Sequence, residues 1–139
     1  MRFYGKVYKD GKFWLAELPL FDAMTQGHTR KEAYAMVEDL LESLVNRPGF
    51  KVSVHQGKHG DFEVSANDPR FLISLFLRRQ RERSGLSLSE AAERLGAKSR
   101  NAYARYERGT SMPSLEKLVE LYQAVAPGKD IVLHDSASA

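Results

Sequence analysis

The chain of 139 residues contains no cysteine, which excludes a disulfide framework and any thiolate zinc site and suits a reducing, cytoplasmic setting. Long apolar runs are also missing. The longest, Phe71 to Leu77, is already broken by Ser74 and falls far short of the roughly 20 residues that span a bilayer. Met1 is followed by Arg2, Tyr4 and Lys6 among apolar neighbours, with no apolar leader core, so a cytoplasmic protein without membrane contact is expected. Clustered carboxylates are absent too. Asp10, Glu17, Asp22 and Asp61 stand mainly in turns without the spacing that two-metal hydrolysis needs. His55 and His59 share a stretch with Gly57 and Gly60, so they sit on a turn with no third ligand and read as surface histidines. No catalytic residue, metal or cofactor is expected.

What is present is a soluble composition, 42% hydrophobic and 28% charged, outside the low-hydrophobicity range of disorder. The charge is divided unevenly. Residues 1–68 hold nine Lys/Arg against ten Asp/Glu, and residues 69–139 hold twelve against eight. An anionic partner therefore belongs to the second half.

Local pattern divides the chain in the same place. Residues 2–8 and 13–18 are aromatic and β-branched runs about Asp10-Gly11, a hairpin signal. A third short strand is expected at Ala23 to Gln26. Thr29 to Glu32 has the spacing of a capping box, and Ala33, Met36, Val37, Leu40, Leu41 and Leu44 recur at helical steps behind it, up to a stop at Pro48-Gly49. Phe50 to His55 and Asp61 to Ala66 alternate like strands. The expected order is β-β-β-α-β, with an optional sixth element.

The hairpin, Leu18-Pro19, the run Thr25-Gln26-Gly27-His28-Thr29 leading into Glu32-Ala33, and the closing strand resemble the HicB antitoxin domain, a partial ribonuclease-H-like fold. Leu20-Phe21 and a longer loop replace that family's Leu-Pro-Gly-Cys pattern. The resemblance implies that this domain covers a HicA-like, mRNA-cleaving ribonuclease toxin. Acidic positions Asp22, Glu32, Glu38, Asp39 and Glu42 then face a basic toxin, although ordinary helix solvation explains them equally well.

Asn67-Asp68-Pro69 reads as a boundary, with Asp68 a cap and Pro69 in the first helical turn. A helix follows to about Ser84, with Leu72, Leu75, Phe76 and Leu77 inward, Arg78, Arg79, Arg81 and Arg83 outward, and Gly85 as its stop. Ser87 to Glu90 gives a second capping box for a helix through Leu95, ended by Gly96. Ser99 is a suitable N-cap for a third helix to about Glu107, stopped by Gly109. Pro113-Ser114 opens a fourth, with Leu115, Leu118, Val119, Tyr122 and Val125 as its stripe and Pro127-Gly128 as its end.

Short helices about a glycine-containing turn are what a helix-turn-helix needs. The run Leu86 to Gly96, followed by Tyr106-Glu107-Arg108-Gly109 and Pro113-Ser114-Leu115, resembles the Xre/Cro/C1-type repressors. Leu88 replaces the Gln that many members present to the phosphate backbone, and the turn before the third helix is one residue longer. On that third helix Tyr103 and Tyr106 take core positions. Arg100, Asn101, Ala104, Arg105 and Arg108 share the opposite face.

Asn can bond adenine N6 and N7 together, Arg can fork onto guanine O6 and N7, and Ala can meet a thymine methyl. Ser99, Arg100, Asn101, Ala104 and Arg105 are therefore expected to read bases, and Arg78, Arg79, Lys98 and Arg108 to hold phosphates.

The expected class is α+β: an antitoxin-like domain over 1–66, a linker 67–69, a helix-turn-helix domain over 70–133 and a disordered tail 134–139. Together the two resemblances imply a type II antitoxin that neutralises its toxin and represses its own operon at an operator. The alternative is a free-standing repressor whose first domain senses a ligand or dimerises. Small cores and palindromic operators both favour a homodimer or homotetramer, with Ile131 to Leu133 as an edge strand for pairing.

Overall fold

The computed structural model describes residues 1–136. Strands β1 (Phe3–Asp10) and β2 (Phe13–Leu18) form the expected hairpin. Asp10 is the last strand residue, pairing with Phe13, so the turn is Gly11-Lys12 with Gly11 at φ +61. A 3-10 turn at Pro19–Phe21 leads into β3 (Ala23–Gly27), and α1 (Arg30–Val45), β4 (Val52–Gln56) and β5 (Asp61–Ala66) follow. Both closing strands therefore exist. The sheet order is β3-β2-β1-β5-β4, with every pairing antiparallel.

Phe3, Gly5 and Val7 of β1 point to the covered side. The Phe62 ring lies over Gly5, where a Cβ would sit 2.2 Å from it. α1 is capped by Thr29, whose hydroxyl accepts from the Glu32 N–H at 3.0 Å. It ends at Asn46 in the left-handed region, φ +51, ahead of the expected Pro48-Gly49. Its buried positions are Ala33, Tyr34, Val37 and Leu41, while Met36 is exposed. Among the described residues no helix covers the far side of the sheet, which is knitted by Tyr4 to Asp61 (2.9 Å), Tyr8 to Glu17 (2.6 Å), Arg2 to Glu63 (3.1 Å) and His55 to Ser65 (2.7 Å).

Helices α2 (Pro69–Arg83), α3 (Leu88–Arg94), α4 (Asn101–Glu107) and α5 (Leu115–Val125) complete the chain. The expected linker is a tight turn: Asp68 accepts from the Arg70 N–H at 3.2 Å and caps α2 directly. α2 also departs from the one-sided reading, because every residue from Leu72 to Leu77 is buried. One side meets the sheet domain and the other meets α4 and α5. Phe76 touches both, with Phe3 at 6.2 Å and Tyr122 at 4.9 Å between ring centroids. The two halves thus share one hydrophobic core.

Polar bonds seal the same joint. Gln80, 5% exposed, donates to the Leu20 carbonyl at 2.9 Å. Gln80→Leu should leave that carbonyl without its partner and cost about 1–3 kcal/mol, measurable by urea unfolding; a neutral result would show that this bond contributes little to the joint.

α2, α3 and α4 end alike. In each, a glycine at positive φ (Gly85, Gly96, Gly109) follows the cap, and the next N–H reaches back to the helix: Leu86 to Arg81, Ala97 to Ala92, Thr110 to Arg105. These are Schellman endings, in which glycine takes the left-handed position at least cost. At α3 both halves of the capping box form, Glu90 N–H to Ser87 Oγ and Ser87 N–H to Glu90 Oε1, each at 3.0 Å.

On α5 the buried residues are Leu121, Tyr122, Ala124 and Val125. Leu115 is exposed, so the stripe begins one turn later than the pattern suggests. Ile131 packs partly against the core, but residues 131–133 form no strand. Residues 134–136 have no regular structure, and the rest of the expected tail, 137–139, lies outside the described residues.

Candidate nucleic-acid interface

α4 is held from behind by one ion pair and one hydroxyl. Arg81 of α2 donates to both oxygens of Glu107, at 2.7 and 3.0 Å, with side-chain exposures of only 14% and 7%. These hydrogen bonds hold the Arg81 guanidinium above its usual basicity. Ser74 Oγ, also on α2, donates to the Tyr106 carbonyl at 2.7 Å. Tyr103 is fully buried between these elements, and burial pushes its phenol upward, so it stays protonated.

The side of α4 turned away from this anchor is exposed and basic. Arg100, Asn101, Arg105 and Arg108 lie on it, with Lys98 and Ser99 in the preceding turn, all exposed. Among the described residues, Lys98, Arg100, Arg105 and Arg108 form no ion pair. Their charge is available to a polyanion. Asn101 and Arg108, seven residues apart, are hydrogen-bonded through Arg108 Nη2 and Asn101 Oδ1. Arg105 lies over the Tyr106 ring at 4.9 Å and donates to its hydroxyl at 3.2 Å. Thr110 Oγ1 donates to the Arg105 carbonyl at 2.9 Å and closes the helix end.

Several expected site residues are placed differently. Ala104 is 5% exposed, so its methyl belongs to the core and is not free to meet a base. Ser99 does not cap α4 with its side chain: the helix starts at Asn101 behind Arg100, which has helical dihedrals and no side-chain cap bond. Arg78 and Arg79 are turned toward the other half of the molecule. Arg78 donates to the Leu44 carbonyl at 2.9 Å, one of the last carbonyls of α1 that lack a helical partner. Arg79 bridges the Phe21 and Asp22 carbonyls at 2.8 and 2.7 Å. These bonded donors hold the joint between the two halves.

Two features had no signal in the sequence. Arg47, just past α1, donates to the Arg108 carbonyl at 2.7 Å and stacks on Phe71 at 4.6 Å. The Arg81–Glu107 pair joins residues 26 apart that no local pattern relates. Among the described residues no cluster of three or more His, Asp or Glu is placed to hold a metal. No described helix is long and apolar enough to cross a membrane.

A helical half with a glycine turn between α3 and a basic, exposed α4 defines a helix-turn-helix module. The helix-turn-helix family model matches residues 77–124, from the second half of α2 through most of α5. That fold is a DNA-binding one. No curated protein matches the chain.

Proposed function

We propose that the chain is a sequence-specific DNA-binding regulator in which α4 enters the major groove. The observation that supports this most is the exposed stripe Asn101, Arg105 and Arg108 on a helix locked from behind by Arg81–Glu107. A rigid helix carrying side chains able to bond base edges in pairs is what direct readout requires. Asn101 and Arg105 read bases, with Arg100 and Ser99 at the entrance to the groove. Lys98 and Arg108 hold phosphates. Two copies, as a homodimer or homotetramer, place two such helices on a palindrome.

The sheet domain supplies the second role, toxin neutralisation, in which it covers a HicA-like ribonuclease while the module represses the shared operon. The HicB-like order of elements and the uncovered far face of the sheet support that role. The free-standing repressor with a ligand-sensing or dimerising first half is the competing reading, and the cleft lined by Arg47, Arg78 and Arg108 where the halves meet favours ligand sensing.

Selection from random duplexes with the full chain tests the first role. Enrichment of two half-sites about 10 base pairs apart is expected; recovery of no consensus would refute sequence-specific binding. Co-expression with a small basic protein encoded beside this gene tests the second. A stable complex and relief of growth arrest support the antitoxin, and neither leaves the repressor alone.

A further inference from the structure

A cleft of about 190 Å³ opens where α1, α2 and the end of α4 meet. Leu44, Val45 and Phe71 give it apolar walls, and Arg47, Arg78 and Arg108 are among the residues that line it. Each ends in a guanidinium with five N–H donors. The structure commits one nitrogen of Arg47 to the Arg108 carbonyl, one of Arg78 to the Leu44 carbonyl and one of Arg108 to Asn101. Among the described residues the one carboxylate on the wall is Glu107, and each of its oxygens already accepts a bond from Arg81. Glu82 approaches Arg78 Nε at 3.7 Å, on the more exposed side of α2. Three arginines thus line one space, and the carboxylate on its wall is already paired with Arg81.

From this arrangement we infer an anion-binding site, shaped for a phosphate group, built by Arg47, Arg78 and Arg108. A tetrahedral oxyanion takes several forked guanidinium bonds at once, and charge-assisted bonds of this kind are about twice as strong as neutral ones. The bound group ties together the end of α1, the middle of α2 and the end of the helix that carries Asn101 and Arg105. Two sources share this chemistry: a backbone phosphate of DNA lying along the end of α4, or a small free phosphorylated effector that ties the sheet domain to α4. The site is independent of the DNA reading; only the source of the phosphate depends on it.

Titration of the full chain with inorganic phosphate at constant ionic strength, followed by NMR of backbone amides and arginine Nε–H groups, tests the site. Saturable shifts at Arg47, Phe71, Arg78 and Arg108 are expected. Arg47→Gln should weaken binding at least tenfold, and Arg47→Lys, which keeps the charge and loses the fork, should fall between. The lysine variant carries the comparison if the glutamine variant does not fold. Shifts that grow linearly with phosphate, or saturation unaltered by either substitution, would overturn the site. Salt-dependent binding to a random-sequence duplex then assigns the source. A slope reduced by about one unit in the Arg47 variant assigns the site to a DNA phosphate, and an unchanged slope assigns it to a free anion. A chain that binds phosphate saturably and no duplex at all retains the site while the DNA reading fails.

Discussion

Glu107→Ala should destabilise the protein by about 3–5 kcal/mol, because it strands a guanidinium in a site it cannot leave. Both partners are largely removed from water, and the pair is bidentate, so the surface estimate of at most about 1 kcal/mol does not apply. Arg81 also donates to the Leu86 carbonyl at 2.8 Å, which fixes it in place after its partner is gone. The raised basicity of Arg81 means its share of stability is fully present below the ordinary arginine value and is lost only above it. The cost should therefore be flat from about pH 6 to 9, where free arginine is fully charged. A double replacement, Arg81→Met with Glu107→Leu, should recover most of the loss, since an apolar pair of similar volume removes the stranded charge. Denaturant unfolding of the three variants decides this. A single-variant loss under about 1 kcal/mol would mean that the pair is effectively solvated.

Gly109→Ala is the second large effect. Gly109 sits at φ +73, where an L-residue costs about 1–2 kcal/mol. An added Cβ would also lie 2.6 Å from Phe71 Cε1 and 2.8 Å from Cδ1. That ring packs edge-on against Phe50 and carries Arg47 on its face, so it has little freedom to yield. Overpacking of this kind adds about 1–3 kcal/mol, for a total of about 2–5. Gly96→Ala is the internal comparison: Gly96 has φ +80 with open space around it, so only the backbone cost should remain. Equal losses in the two variants, measured by thermal and urea unfolding, would remove Phe71 from the explanation.

Features set by neighbouring residues were legible in the sequence. The alternation of Asp61 to Ala66, the Ser87–Glu90 box, and the stops at Gly85, Gly96 and Gly109 depend on residues a few positions apart, and each stands where its pattern places it. Features set across the chain were not. Arg78 and Arg79 look like solvated or phosphate-binding residues until the carbonyls they meet, 34 to 58 positions away, are brought alongside. The clue to α2 was present: an apolar run from Phe71 to Leu77 with one serine is what a helix buried on both sides looks like. Ala104 was misplaced because α4 is a single seven-residue helix, and the boundary of its outward face passes between Ala104 and Arg105.

The proposal that α4 reads DNA is tested most directly by the operator-to-random affinity ratio of four proteins: the native chain, Asn101→Ala, Arg105→Ala and Lys98→Ala. A selected site and a random duplex are titrated at several salt concentrations. Asn101→Ala and Arg105→Ala should each cost about 1–3 kcal/mol on the selected site and relax preference at one position per half-site. Lys98→Ala should weaken both duplexes alike and lower the salt slope by about one unit. If the ratio is unchanged in both the Asn101 and Arg105 variants, α4 is not the reading element, and the placement of this module on DNA is wrong.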